Sequence, residues 1–110
     1  MTNQVKVSVI MSTYNSEKFI DSAVNSIINQ TYKNLELIVM DDSSSDETYS
    51  LLQNFEKNDN RLKVFKNEKN IGLTKSLNIL LQHASGDLIA RQDDDDVSNL
   101  DRIQAQVDFM

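Results

Sequence analysis

No cysteine, no proline and only two glycines occur among the 110 residues. Without cysteine there is no disulfide framework and no thiolate metal site, which suits a reducing compartment. Without proline, every strand is free to lie in the middle of a sheet. Two glycines, Gly72 and Gly86, cannot supply a G-x-G-x-x-G turn, and no G-K-[ST] occurs. Dinucleotide binding of that type and P-loop chemistry are therefore poor readings. The single histidine, His83, rules out a histidine-rich metal site. No apolar run approaches the roughly 18 residues of a membrane span. The opening stretch MTNQVKVSVIM lacks the basic head and long apolar core of a signal peptide. The expected location is the cytoplasm.

Basic charge is also scarce: 11 Lys and Arg face 17 Asp and Glu, for a net charge of -6. Binding of nucleic acid by a general basic surface is not expected of such a chain. An anionic ligand would need local help from a metal ion or from backbone amides. What is present is otherwise ordinary: 39% hydrophobic and 25% charged residues argue for a folded chain and against disorder. The length suits one domain or part of one, with roughly 65% of the unfolded surface buried on folding.

Strand and helix signals alternate four times. VKVSVIM, from Val5 to Met11, is short, β-branched and apolar, and reads as a buried strand. Phe19, Ile20, Ala23, Val24, Ile27 and Ile28 then recur at helical spacing, with Asn15 or Ser16 placed to cap the start. Leu35 to Met40 is a second buried strand. Ser44 and Glu47 have the spacing of a capping box for a helix carrying Leu51, Leu52 and Phe55. Leu62, Val64 and Phe65 give a third strand, and Leu73, Leu77, Leu80, Leu81 and Ala84 another helical stripe, closed by Ser85-Gly86. DLIAR is the fourth strand, and Leu100, Ile103, Val107 and Met110 begin a last stripe. This alternation predicts parallel βαβ units with helices on both faces.

In such sheets ligands sit outside the carboxyl ends of the strands. The polar clusters fall there: Ser12 to Asn15 after strand one, Asp41 to Asp46 after strand two, and QDDDD after strand four. Asp93 to Asp96 is either a solvated charge run or a cation site. Like charges at contact distance repel by about 1 kcal/mol per pair in water, and a divalent cation would relieve this. Oxygen ligands alone suit a hard ion such as Mg2+ or Mn2+. Mg2+ takes one or two carboxylates, so part of the run is left to support or to solvent. An EF-hand fails, because Ser98 and Gln104 stand where its glycine and terminal glutamate belong. Asp41-Asp42 is either a turn pair or an acceptor for a ribose or base. Tyr14 could stack on a base, and the Ser12 and Thr13 hydroxyls could bond to it. Lys75 opens a helix, where the dipole disfavours a cation unless it faces an anion. Arg91, at a strand end, is expected to pair with an aspartate.

With these pieces in place, the chain resembles the nucleotide-binding half of a family 2 glycosyltransferase of the GT-A fold. VSVIMSTYN, QTYKNLELIVMDDSSSDET, NIGLTKSLN, ASGDLIARQDDDD and DRIQAQVDFM carry the resemblance, in order and nearly end to end. It implies a three-layer α/β/α sandwich around a mostly parallel, Rossmann-like sheet. It implies that Asp42 meets the uracil of a UDP-sugar or its counterpart, with Ser12, Thr13, Tyr14 and Asn15 around base and ribose, and with Lys75, Asp93 and Asp94 on the nucleotide side. The acidic run resembles the family's D-x-D, whose last aspartate meets the metal that bridges the diphosphate. Asp93 and Asp95 fit it in one register, and Asp94 and Asp95 fit its variant with two adjacent acids. Asp95 is common to both and is the expected Mn2+ or Mg2+ ligand, with Asp93 as its companion. Arg102 stands where the family carries an arginine after the acidic loop.

The resemblance further implies inverting transfer to a saccharide or lipid-linked acceptor, at the membrane in the full-length enzyme. Family members are much longer and keep their catalytic base in a second half, so these 110 residues are expected to be the donor side alone, without that base. Uncovered surface on such a half favours self-association into a homo-oligomer. Two other classes stay open from the residues. One is a receiver-like signalling module, which would need an acidic pair after strand one and an aspartate after strand three. The chain has Ser12 to Asn15 and Lys66-Asn67-Glu68 there. The other is a nucleotide-binding domain without catalysis.

Overall fold

The computed structural model describes residues 5–109. Its elements run β1 (Val7–Thr13), α1 (Ile20–Ile28), β2 (Leu35–Asp41), α2 (Thr48–Asn58), β3 (Leu62–Lys66), α3 (Leu73–His83), β4 (Leu88–Arg91) and α4 (Arg102–Asp108). The four strands form one sheet in the order β3-β2-β1-β4, and every pair is parallel. The alternation read from the sequence is thus observed, and so are helices on both faces.

Connection handedness explains the layers. From β1 to β2 to β3 the chain steps in one direction, and right-handed crossovers place α1 and α2 on the same face. From β3 it returns past β1 to β4, so α3 lands on the other face. The core divides accordingly. Val7, Val9 and Met11 of β1 and Leu35, Leu37 and Val39 of β2 point to one side. There they pack with Ile20, Ala23, Val24 and Ile27 of α1, Leu52 of α2, and Ile103 and Val107 of α4. Ile10, Ile38 and Met40 point to the other side and meet Leu80 of α3, with Phe65 and Leu77 beside them. Burying a side chain of this size contributes about 1.5–3 kcal/mol.

Several local expectations are corrected. Neither Asn15 nor Ser16 caps α1 with its side chain. Phe19 stands at that N-cap, 54% exposed, outside the buried stripe. Ser16 contributes its carbonyl, which accepts from the Phe19 and Ile20 N–H groups. The Ser44/Glu47 capping box does not form either. The Ser44 hydroxyl is taken by the Asn15 N–H at 2.8 Å, and Asp46 instead accepts from Thr48 N at 3.0 Å and Thr48 Oγ1 at 2.6 Å. Leu73, Leu81 and Leu100 are exposed, and Met110 lies outside the described residues. Gly86 does not close α3 by a left-handed turn. A Cβ there would lie 2.6 Å from the backbone nitrogen of Ser8 and 2.9 Å from the Lys6 carbonyl, so glycine lets the α3–β4 corner press against β1.

That corner also holds a buried acid. Glu36 of β2 accepts from Ser8 Oγ at 2.6 Å, Ser85 N at 2.8 Å and Ser85 Oγ at 3.1 Å, with Lys6 Nζ 3.4 Å away. Burial pushes its carboxyl up, but these donors outweigh burial and hold it below the usual range. It lies at the amino end of the sheet, away from the polar loops.

Candidate functional site

At the opposite, carboxyl end of the sheet the three polar loops are bonded to one another. They gather where the strand order reverses, beside β1, which has β2 on one side and β4 on the other. That is the crevice in which open α/β sheets take ligands. Asp42 N donates to the Thr13 carbonyl at 2.8 Å, carrying the chain from β2 into the second loop. Asn15 bridges the first two loops: its Oδ1 accepts from Ser45 N at 2.8 Å. Asn15 and Ser43 are the non-glycine residues of positive φ, at 50° and 68°. The backbone here is held by its cross-loop bonds rather than by regular structure.

Asp42 is 3% exposed and accepts from Asn67 Nδ2, Ile71 N and Gly72 N, each at 2.9 Å. Burial pushes its carboxyl up. The Ile71 N–H, the Asn67 amide, the Gly72 N–H and the Ser76 hydroxyl outweigh burial and hold it below the usual range. It therefore stays ionised and fixes the loop that leads into α3. Asp41 is fully buried. One of its oxygens takes the Ser44 N–H at 3.1 Å and the other meets no donor among the described residues. An unmet buried acceptor costs about 1–3 kcal/mol, which a donor arriving at this edge would offset.

The four aspartates after β4 separate. Asp94 turns inward. Its Oδ2 accepts from Thr13 Oγ1 at 2.8 Å, from Tyr14 N at 3.4 Å and from Ser16 Oγ. Asp93, Asp95 and Asp96 stay exposed, and each offers a carboxylate oxygen within 4.8 Å of the other two. Three converging oxygen ligands fit a hard divalent cation. Arg91 pairs with Asp93 at 3.3 Å as expected, although at the exposed edge of the sheet and not inside it. Tyr14 is exposed and Ser12 is half-buried. Lys75 is exposed in the first turn of α3, with no hydrogen bond or ion pair among the described residues. A surface depression of about 320 Å³ opens beside the acidic loop, between Arg91, Asp96 and Arg102.

Two residues near the site escaped the sequence reading. Ser16 is buried and shares Asp94 with Thr13, where a helix cap was expected. Gln92 is 3% exposed at the head of the acidic loop. A signal for Gln92 was present: alternation along β4 puts positions 88, 90 and 92 on the same inward side.

Comparison with known proteins gives the arrangement a context. The sequence model for "Glycosyl transferase family 2" matches residues 8–110. The UDP-Glc:alpha-D-GlcNAc-diphosphoundecaprenol beta-1,3-glucosyltransferase WfgD of Escherichia coli is 39% identical over 104 residues, which are 94% of this chain and 40% of that protein. Staphylococcus aureus TarS 1-349, solved in complex with UDP-GlcNAc, superposes with a TM-score of 0.88 at 34% identity, over 94% of this chain and 30% of that one. The mannosyltransferase PcManGT of Pyrobaculum calidifontis, solved with GDP-Man and Mn2+, gives a TM-score of 0.80 at 29% identity, over 87% of this chain and 29% of that one. The chain spans 34% to 43% of the length of the first curated relatives it matches. The parallel sheet with helices on both faces is the GT-A fold of these enzymes, and the match decides against the receiver-like reading. This chain belongs to glycosyl transferase family 2.

Proposed function

We propose that this chain binds a nucleotide-diphospho-sugar, a UDP-sugar, through a divalent cation, as the donor side of an inverting glycosyltransferase. The observation that carries the reading is the convergence of three exposed carboxylates, within 4.8 Å of one another, on the sheet edge where the other two polar loops are joined. The solved relatives with UDP-GlcNAc and with GDP-Man and Mn2+ support it. Asp95 and Asp93 hold Mn2+ or Mg2+, with Asp96 in reach. Bound there, the ion neutralises the diphosphate and acts as a Lewis acid for its departure.

The chain's own residues supply the rest. Tyr14 offers an exposed side chain to the base and Ser12 offers a hydroxyl; the Thr13 hydroxyl, expected beside them, is buried and spent on Asp94 at 2.8 Å. Asp94 holds Thr13, the Tyr14 amide and Ser16 in one position, which keeps the nucleotide side rigid. Asn15 ties the base-side loop to the second loop. Asp42, kept ionised, is the acceptor for the ring N–H of a uracil. Lys75 has no hydrogen-bond or ion-pair partner among the described residues and is the cation placed to meet a phosphate. The acceptor is a saccharide or lipid-linked sugar, as the name of the Escherichia coli relative supports. Among the described residues, no helix is long and apolar enough to cross a membrane. The general base that deprotonates the acceptor hydroxyl is expected outside these residues.

Thermal melting with ligand tests the reading. UDP should raise the melting temperature in Mn2+ and much less in EDTA, because a ligand that binds only the native state stabilises it by mass action. An equal rise in EDTA would remove the metal from the mechanism, and no rise in either would remove the nucleotide.

A further inference from the structure

Four adjacent carboxylates repel one another, by about 1 kcal/mol per contacting pair in water. Left to themselves they would splay. Something must hold three of them pointing at one place and the fourth turned away. The backbone turn is one part of this, since Asp96 N donates to the Asp93 carbonyl at 3.1 Å. Arg91 Nε holds Asp93 at 3.3 Å, and Thr13, Tyr14 and Ser16 hold Asp94 turned away. A further part is a side chain immediately before the run.

We propose that Gln92, locked by Ser98 and Arg102, is the positioning residue of the acidic loop and sets its affinity for the divalent cation. The proposal rests on the reading that this loop holds such a cation. Gln92 is anchored to the sheet by its own N–H, which donates to the Ile10 carbonyl at 3.0 Å. Its Nε2 donates to the Asp96 carbonyl at 2.6 Å, tying the last aspartate of the run to the residue before the first. Its Oε1 accepts from Ser98 Oγ at 2.6 Å and from Arg102 Nη1 at 2.8 Å. Arg102 in turn reaches Ser98 Oγ at 3.0 Å and, through Nη2, the Arg91 carbonyl at 2.8 Å. The far end of the run is therefore tied to the buried amide of the residue that precedes it, and α4 supplies the cationic brace.

The chemistry requires an amide at this position. The Asp96 carbonyl can only accept and the guanidinium can only donate, so the orientation of the Gln92 amide is fixed by its partners. Glutamate would lose the donor and add a fifth negative charge. Methionine would keep the length and lose both halves of the clamp. None of these three residues is placed on the cation itself. They act through Asp93, Asp95 and Asp96, as outer partners orient metal ligands elsewhere at a cost of about 10- to 100-fold in affinity when lost.

The test is Mn2+ binding by the 110-residue chain with UDP present, read by electron paramagnetic resonance of the free ion, well below the melting temperature. Wild type is expected to bind. Gln92→Met is expected to bind about tenfold or more weakly and to broaden the spectrum of the bound ion, while its circular dichroism in EDTA is unchanged. A merely structural glutamine would lower the melting temperature and leave Mn2+ affinity alone, and that result overturns the proposal. Should Gln92→Met fail to fold, Ser98→Ala removes the hydroxyl that Gln92 and Arg102 share. It should weaken Mn2+ binding severalfold, and wild-type affinity there overturns the proposal equally. Wild-type chain that takes up no Mn2+ would fail the cation reading itself, and the proposal with it.

Discussion

Asp94 and Asp95 are neighbours with the same side chain, yet they belong to different networks. Asp94 is held by donors from Thr13, Tyr14 and Ser16, about eighty positions earlier in the chain. Asp95 faces out with Asp93 and Asp96. The two should therefore fail differently. Asp94→Ala leaves the buried Thr13 hydroxyl without its acceptor, while Ser16 Oγ keeps the Tyr14 carbonyl at 3.2 Å, and should cost about 1–3 kcal/mol of stability, with or without metal. Asp95→Asn alters an exposed side chain and should stay within about 0.5 kcal/mol of wild type in EDTA, while losing the Mn2+-dependent part of the UDP stabilisation. Thermal melts in EDTA and in Mn2+ with UDP separate the two effects. If Asp95→Asn keeps the full Mn2+ effect, the ligand is Asp93 or Asp96 and the register is wrong. The residue types at this site were legible in the sequence, and so was their gathering at one sheet edge. Which aspartate turns inward was not, because that is decided by partners brought in by the fold and not by the local run.

At the level of elements, period and branching carried the strands and helices because each has one buried side or face. Val7, Val9 and Met11 alternate inward on β1, and Ala23, Val24 and Ile27 recur on α1. Helix starts were less legible. Serines and aspartates that resemble caps were drawn instead into bonds between loops, as Ser44 was by Asn15. Glycine shows the same division between local and tertiary causes. Gly72 has φ of 94° and open space where a Cβ would lie, so its constraint is purely conformational. Gly86 is constrained by the close approach of Ser8 and Lys6. Gly72→Ala should cost about 1–3 kcal/mol from backbone strain. Gly86→Ala must also push β1 from the α3–β4 corner and disturb the bond from Gly86 N to Ser8 Oγ at 2.7 Å. It is expected to cost more than Gly72→Ala and to weaken β4 first. Urea unfolding of both variants, with hydrogen exchange at Ala90, checks this. Equal costs, with Ala90 exchanging as in wild type, would mean that the corner gives way freely.

At the scale of the whole sheet, β3 and β4 are the edges among the described residues, and the β4 side is the more vulnerable. Gln92 N and Leu88 N bond to β1, so Ile89 turns both backbone groups and Arg91 its N–H outward along that edge, where no strand pairs with them among the described residues; the Arg91 carbonyl is already taken by Arg102. Ile89 is exposed beside it, and a mostly apolar cavity of about 210 Å³ lies between β4 and α4, lined by Leu88, Ile89, Ala90, Ile103 and Val107 together with Gln106. Phe109, at the end of α4, is 93% exposed. An open strand edge flanked by apolar surface invites pairing. A second copy fits it by charge. In an antiparallel two-fold pairing centred on Ile89, Asp87 of each copy lies opposite Arg91 of the other, and the two Ile89 side chains meet. The purified chain is therefore expected to form a dimer, heavier by sedimentation than the 12.5 kDa of one copy. Ile89→Lys places like charges across the two-fold axis, on a side chain that the monomer already exposes. It should return the chain to a monomer without lowering its melting temperature at high dilution. Wild type that sediments as a monomer at every concentration would sink the idea, and so would a dimer that Ile89→Lys leaves intact. The four-residue edge strand would then be too short to template a partner.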